Sequence, residues 1–254
     1  IQAITRFNDK LYFGTGDMHL YYLHEFDFSK KSKLTKEEVA QISYSKSSAA
    51  ELKESLNNGS WGILNITIEG EKSMLFITND NVFQLKENGE VDTAFHHSGT
   101  IMVQDPMDSN RIWIGLYPEG LASFYFENGK WIDEGMIPKA ECSIVSLAFD
   151  QAQNLWLGRT DALSVLYKPV FKDHEIILPK VDNFGTKNSL PDNDAIYPMF
   201  DGNKMIFASS EGLFLYDNKT DKFAKTNIFT DWYTNHFVFR MMKDSQKNIW
   251  TVTY

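Results

Sequence analysis

Carboxylate side chains are the first residues in this sequence that could do chemistry. Glycoside hydrolysis needs two of them facing one bond. The candidates by residue type are Glu119, Glu134, Glu141, Glu211, Asp150, Asp201 and Asp244. The three aspartates recur once per repeat of a longer pattern, each at the end of an apolar stretch, which is typical of turns rather than of an active site. We therefore predict no catalytic residue and expect this part of the protein not to be an enzyme.

Metal-binding and nucleophile motifs are not evident in the sequence. His96 and His97 are adjacent, and neighbouring side chains on a strand point to opposite faces, so they would not bind one metal ion. A single cysteine, Cys142, excludes an internal disulfide and a cysteine-based zinc cluster. No nucleophile elbow or phosphate-binding loop is present. We predict no metal site and no cofactor.

An aromatic and polar cluster near the C-terminus is the first candidate for ligand binding. It comprises Trp232, Tyr233, Asn235 and His236. Aromatic rings can stack on sugar faces, while amide and imidazole groups hydrogen-bond to hydroxyls. The alternative interpretation is a packed connector between two repeats.

Two shorter segments are second candidates. Tyr117 and Glu119 follow the apolar strand RIWIG, and Arg159 and Asp161 follow the apolar strand NLWLG. The two pairs therefore occupy equivalent positions in successive repeats. Equivalent loops of a repeat protein gather on one face, and binding residues are often carried on such loops. We predict that these residues contribute to a ligand-binding face.

All of these loops are positioned by a repeated unit. The segments 148–158 (AFDQAQNLWLG) and 242–252 (MKDSQKNIWTV) share the same spacing of Asp, Asn and Trp. Weaker copies have an apolar anchor after a polar turn, and the anchors in chain order are Tyr12, Leu75, Trp113, Trp156, Ile206 and Trp250. Most successive anchors are separated by the roughly 40–50 residues of one four-stranded blade.

The repeats predict short antiparallel strands, because apolar and β-branched runs alternate with Asn, Asp and Gly turns. The complete units after the first predict four strands each, with the run HEIILP (174–179) as the last strand of the fourth unit, whereas the first unit shows only three such runs. Sheets with two apolar faces must stack face to face, and radial closure achieves this. We predict an all-β fold: a β-propeller, or a fragment of one, with about five and a half blades. The blade bounds are 1–29, 61–97, 98–141, 142–190, 191–235 and, for a partial blade, 236–254.

The tryptophans of the repeats are interpreted mainly as packing residues. They are Trp61, Trp113, Trp131, Trp156 and Trp250. A bulky ring at the anchor would fill the wedge between adjacent blades, and the glycine that follows it, as at Gly158, would let backbones approach closely.

Segment 30–59 departs from the strand pattern. Thr35 and Glu38 form one capping box, and Ser48 and Glu51 form a second. We predict one or two short helices here, as a helical insertion on the surface between the first two blades. A lid or a partner-binding element is the alternative interpretation.

The net charge and the lengths of the apolar runs limit the kinds of partner that this chain can bind. The 254 residues include 25 basic and 34 acidic side chains, a net charge of −9, which argues against nucleic acid and anionic membranes. No apolar run is long enough to span a membrane.

The chain starts at Ile1 and stops after two strands of a repeat, so we expect a fragment of a longer protein. The open edges of such a fragment make a homodimer one expected assembly.

The unit Asn188–Phe223 resembles the repeat of the two-component regulator propeller family. The matching residues are Asn188, Ser189, Leu190, Asp201, Gly212, Leu213, Tyr216, Asp217, Thr220 and Phe223. The central parts of the fourth and sixth units match as well. Ile206 departs from the pattern, because tryptophan is typical at that position.

This resemblance implies a role in signalling and does not imply a particular reaction. Such repeats are typical of the periplasmic sensor regions of hybrid two-component system histidine kinases. By analogy, the chain would be a non-enzymatic, extracytoplasmic sensor with an oligosaccharide ligand, and its partners would be other domains of the same receptor, which carry the kinase. The alternatives are a propeller-fold glycoside hydrolase or lyase and a purely structural interaction scaffold.

Overall fold

The computed structural model describes residues 3–8, 10–14, 20–23, 44–46, 62–78, 80–177, 180–230, 236, 238–243 and 249–253. The chain divides into two compact units, Ile1–Met102 and Val103–Tyr254. Among the described residues, strands dominate and the only helix is a short 3-10 helix at Thr186–Asn188. The prediction of an all-β fold of four-stranded antiparallel sheets is thus confirmed.

The first unit contains two antiparallel sheets. In sheet A the strands pair in chain order, β1 (Ala3–Phe7), β2 (Lys10–Gly14), β3 (Leu20–Leu23) and β4 (Tyr44–Lys46). Sheet B has the same order, with β5 (Ile63–Ile68), β6 (Glu71–Ile77), β7 (Val82–Lys86) and β8 (Val91–Phe95). Phe7, Tyr12, Met74, Phe76 and Phe83 form a shared core between the two sheets.

Three more four-stranded sheets follow along the chain. Sheet C consists of β9 (Ile101–Gln104), β10 (Arg111–Leu116), β11 (Gly120–Glu127) and β12 (Lys130–Met136). Sheet D consists of β13 (Ile144–Phe149), β14 (Leu155–Arg159), β15 (Leu163–Tyr167) and β18 (Lys180–Phe184). Sheet F consists of β19 (Tyr197–Phe200), β20 (Met205–Ser209), β21 (Gly212–Asp217) and β22 (Lys222–Lys225).

Two smaller sheets complete the description. Sheet E is a hairpin of β16 (Phe171–Lys172) and β17 (Glu175–Ile176), and sheet G pairs β23 (Val238–Lys243) with β24 (Ile249–Thr253). The two strands of sheet G lie within 236–254, the segment predicted to be a partial blade.

The fourth strand of sheet D is not where the sequence pattern predicted it. The run HEIILP was interpreted as that strand, but Glu175–Ile176 pairs with Phe171–Lys172 instead. The reason is the turn between them, since Asp173 and His174 both adopt positive φ, 49° and 65°, as a two-residue hairpin requires. The next run, Lys180–Phe184, pairs with β15 and completes the sheet.

The helices predicted within 30–59 lie outside the described residues. The structure describes only Tyr44–Lys46 in that segment, and these residues form β4, the fourth strand of sheet A. The sequence pattern had supplied only three strands for the first unit.

Packing between sheets D and F shows what the anchor residues do. Trp156 is 6% exposed, and its ring contacts Phe184 in a stacked arrangement and Phe207 in a T-shaped one. A Cβ atom added to Gly158 would lie 2.1 Å from the carbonyl oxygen of Ile196. The anchor tryptophan therefore packs between sheets, and the glycine after it permits close approach of two backbones, as predicted.

Candidate functional site

An aspartate, a turn and a tryptophan form one structural unit in sheet D. The Asp150 carboxylate accepts hydrogen bonds from the backbone N–H and the side-chain amide of Asn154, at 2.9 and 2.8 Å. The indole Nε1 of Trp156 donates a third, at 2.9 Å. One carboxylate thus closes the turn and satisfies a buried indole, which is a structural task.

Aspartates at the equivalent position also accept hydrogen bonds in sheets C and F. In sheet C, Asp105 accepts a hydrogen bond from Trp113 Nε1 at 3.0 Å. In sheet F, where the anchor is Ile206, Asp201 accepts hydrogen bonds from the backbone N–H groups of Asn203 and Lys204, at 2.7 and 2.8 Å. The interpretation of the repeated aspartates as turn residues is confirmed for those that the structure describes.

Asn188 is a clamp between the end of sheet D and the last turn of sheet F. It is 2% exposed. Its side-chain amide donates to the backbone oxygen of Asp221 at 3.0 Å and to the Asp221 carboxylate at 2.9 Å, while its oxygen accepts from Gly185 N–H at 3.3 Å. Tyr216 donates to the other carboxylate oxygen of Asp221 at 2.7 Å. This network gives a physical reason for the asparagine of the repeat.

Replacement of Asn188 by alanine is expected to lower the free energy of unfolding by about 1–3 kcal/mol, since buried polar groups would lose their partners. Urea denaturation would show a lower midpoint with an unchanged slope. Asn218→Ala is the control, because Asn218 is exposed in the same region and should shift stability by less than about 0.5 kcal/mol. Equal effects of the two variants would contradict the clamp.

The loops after the second strands carry the sequence-predicted residues of sheets C and D. Tyr117 and Glu119 lie in the turn between β10 and β11, with the Tyr117 side chain 60% exposed. Arg159 ends β14, and Asp161 lies in the turn before β15. The two pairs thus lie in equivalent hairpins of sheets C and D, and their role in ligand binding stays a prediction.

Arg159 and Asp161 are held together in a polar network. Arg159 donates to the two Asp161 carboxylate oxygens at 3.0 and 3.2 Å. Its Nη1 also donates to Ser164 Oγ and Asn183 Oδ1, at 3.4 and 3.3 Å, and Ser164 donates to Asn183 at 2.7 Å. Asp161 remains half exposed, so this network presents fixed hydrogen-bonding groups to solvent.

The aromatic and polar cluster near the C-terminus, the first candidate for ligand binding, is described only at His236. Trp232, Tyr233 and Asn235 lie outside the described residues, and His236 is described as half-buried. Their predicted role as a binding loop stays a prediction.

A groove lies at the other end of the strands, between sheets D and F. It has a volume of about 340 Å³. Its floor is formed by the side chains of Met205, Phe207 and Tyr216, which pack on the side of Trp156, and its rim includes Lys204 and Asp217. The sequence pattern missed this groove, because its lining comes from strand ends of two sheets that no single motif joins.

Two ionisable groups of the groove have shifted pKa values. Burial and the hydrogen bond to Asp221 raise the pKa of the Tyr216 hydroxyl, so this tyrosine is neutral in all ordinary conditions. The backbone N–H of Lys219 and the hydroxyl of Thr220 donate to Asp217 and lower its pKa. The rim therefore carries a carboxylate that stays ionised.

A buried ion pair in sheet C was also missed. The Glu134 side chain is fully buried, and Arg111 donates to both of its oxygens, at 2.9 and 3.0 Å. Ser123 Oγ donates to the same carboxylate at 2.8 Å, and His174 of the sheet E hairpin lies 3.3 Å from it. Glu134 was a catalytic candidate only by residue type, and its four contacts fit a structural role.

The other glutamate candidates have separate surroundings. Glu211 forms an ion pair with Lys225 at 3.1 Å, and Glu141 accepts a hydrogen bond from the Lys139 backbone at 3.3 Å. Among the described residues, no group of three or more His, Cys, Asp or Glu side chains could hold a metal ion. None of the described helices is long and apolar enough to cross a membrane.

Comparison with solved structures identifies proteins of the same fold. The extracellular domain of a B. thetaiotaomicron protein assigned as a one component system matches 100% of this chain with a TM-score of 0.62 at 14% identity. The extracellular domain of one assigned as a hybrid two component system, from the same organism, matches 99% with a TM-score of 0.59 at 15% identity. This agrees, at the level of fold, with the resemblance drawn from the sequence.

The chain is shorter than the two signalling structures, and its fold also occurs in an enzyme. The chain spans about a third of each of those two structures, 31% and 32%. Virginiamycin B lyase from Staphylococcus aureus also shares the fold, with a TM-score of 0.51 at 10% identity over 77% of this chain and 63% of the lyase. No protein-family model matches the sequence, and no curated protein matches it.

Proposed function

We propose that this chain is part of the extracytoplasmic ligand-sensing region of a bacterial signalling receptor of the two-component type. The observation that carries the proposal is the likeness of its whole length to the extracellular domains of two bacterial signalling proteins. In this proposal the four-stranded sheets are blades of a β-propeller, the location is periplasmic, and the chain works without catalysis.

The ligand proposed is an oligosaccharide that binds at the loops after the second strands. Tyr117 offers an exposed aromatic ring for stacking on a sugar face. Asp161 and Asn183 are exposed and held in place by Arg159, so they can hydrogen-bond to hydroxyls without a large ordering cost. The loop cluster with Trp232 and Tyr233 would extend this surface.

The proposed partners follow from the length of the similar structures. Because the chain matches about a third of each, other domains of the same receptor are the first partners proposed. A homodimer through open sheet edges is the second. Nucleic acid is not proposed, because the net charge of −9 would repel phosphates.

The test is a thermal-shift measurement with a panel of oligosaccharides, with product formation assayed in the same samples. A ligand that binds the folded protein raises the melting temperature by mass action. We expect one oligosaccharide to do so without being consumed. Product formation would instead favour a propeller-fold hydrolase or lyase, and the absence of any shift would favour a structural scaffold.

A pair of variants locates the site. Tyr117→Ala is expected to weaken the affinity for that oligosaccharide by about five- to tenfold, the effect of losing one aromatic contact. Met107→Ala is the matched control, because Met107 is 66% exposed in a turn at the opposite end of sheet C. Equal affinities of the two variants would show that the loop end is not the site.

A further inference from the structure

The groove between sheets D and F combines an apolar floor with charges of opposite sign. Met205 and Tyr216 are half-buried and Phe207 is fully buried, and these three side chains pack on the face of sheet F that meets Trp156. Lys204 and Asp217 line the same groove. A volume of about 340 Å³ is at the small end of ligand pockets, so the occupant would be a small molecule.

The two charges line one groove without pairing. The ammonium of Lys204 has no carboxylate within 4.0 Å among the described residues. Asp217 accepts hydrogen bonds from Lys219 N–H and Thr220 Oγ1, one on each oxygen, at 2.9 Å each. A carboxylate has about four acceptor positions, so Asp217 keeps capacity for a further donor.

We propose that this groove binds a small zwitterionic molecule with an apolar body, a free α-amino acid with an apolar side chain being the simplest case. The ligand carboxylate would pair with Lys204, and its ammonium group would pair with Asp217. The apolar side chain would lie on Met205 and the ring of Tyr216. The exposed amide of Asn218, also in the lining, can donate to the ligand carboxylate.

Asp150 supports this arrangement from the sheet D side. It already accepts three hydrogen bonds, from Asn154 and Trp156, so it is fixed in place and contributes negative charge without offering a full binding position. With respect to the part of the chain that the structure describes, the groove therefore has one cation with unused donors and one carboxylate with unused acceptors.

A neutral sugar fits this groove less well. Sugar binding commonly uses an open aromatic face, but Trp156 and Phe207 are 6% and 0% exposed, and their rings pack against each other at 4.9 Å. The third ring of the groove, that of Tyr216, is half-buried and packs against Trp156, Phe184 and Phe223. The groove also lies at the opposite strand ends from Tyr117 and Asp161. This inference is therefore independent of the proposed oligosaccharide site, and either can fail without the other.

The experiment measures binding of L-phenylalanine, L-leucine and L-methionine to the chain by saturation-transfer NMR. Three further ligands each lack one feature: N-acetyl-L-phenylalanine lacks the ammonium charge, L-phenylalaninamide lacks the carboxylate, and methyl β-D-glucopyranoside lacks both charges. We expect the zwitterions to bind and each charge-deleted analogue to bind about fivefold more weakly, because exposed ion pairs contribute little.

The variant Lys204→Met tests the assignment of the carboxylate. It should weaken L-phenylalanine binding by about fivefold and should not weaken the binding of L-phenylalaninamide, because that analogue has no carboxylate and is itself a cation. Lys219→Met is the matched control, since Lys219 is an exposed residue of the neighbouring turn. A melting curve of each variant checks that it is folded.

Three results would overturn the inference. The first is no binding of any of the amino acids to the wild-type chain. The second is equal binding of L-phenylalanine to the Lys204→Met and Lys219→Met variants. The third is saturation of the glucoside but not of the amino acids, which would make the groove a neutral saccharide site. A Tyr117→Ala variant should leave amino acid binding unchanged, whatever the fate of the oligosaccharide proposal.

Discussion

Replacement of Arg111 by methionine is expected to lower the free energy of unfolding by about 3–5 kcal/mol. The reason is that the substitution would leave the carboxylate of Glu134 buried without its cationic partner. The Glu134 side chain is fully buried, and two of its four contacts come from Arg111. Burial lowers the pKa of Arg111, but the hydrogen bonds and charge of Glu134 outweigh that effect and raise it. Chemical denaturation followed by tryptophan fluorescence measures the loss.

Two comparisons make this prediction specific. Lys86 pairs with Asp92 at 2.7 Å while 41% exposed, so Lys86→Met should cost less than about 1 kcal/mol. The double variant Arg111→Met with Glu134→Leu should recover most of the loss, because an apolar pair of similar volume can replace a buried ion pair. If the double variant is less stable than Arg111→Met alone, the lost stability does not arise from the stranded carboxylate.

The Trp113→Ala variant is expected to lose about 3–5 kcal/mol of stability through the cavity that it creates. Trp113 is fully buried, and its ring meets Phe149 and Phe171 edge-on, at 6.5 and 5.6 Å between centroids. The variant also removes the indole donor to Asp105. Denaturant melts of the purified chain would report the change.

Trp131 supplies the contrast for that prediction. It is half-buried on strand β12, where it packs edge-on against Phe126 at 5.2 Å. Trp131→Ala should therefore cost less than half as much as Trp113→Ala. Similar losses would mean that burial between sheets is not what makes the anchor position important.

The strand order could be predicted because its signals are local. The turn at Asp150 is closed by contacts to Asn154 and Trp156, all within seven consecutive residues. A motif of this kind appears in the sequence as a fixed spacing, and its repetition indicates the sheet. The same reasoning found the equivalent loops with Tyr117 and Arg159.

Features that join distant segments could not be predicted. The sheet E hairpin was mistaken for an outer strand because Glu175–Ile176 carries the same apolar pattern as a sheet strand, and only the positive φ of Asp173 and His174 separates them. The burial of Glu134 depends on Arg111 and on His174 from the hairpin, which lies 40 residues further along the chain. The groove likewise needs side chains from two sheets.

The sheet E hairpin also has a consequence for the order of folding. Sheets B, C and F are built from consecutive strands, so each can form from contacts close in sequence, which favours fast local folding. Sheet D instead receives β18 after a hairpin that packs its Phe171 ring against Trp113 of sheet C. Once that hairpin packs against sheet C, β18 is held close to β15 and can pair with it. The outer strand of sheet D should therefore form late and depend on sheet C, so two neighbouring repeats fold as one cooperative step rather than independently.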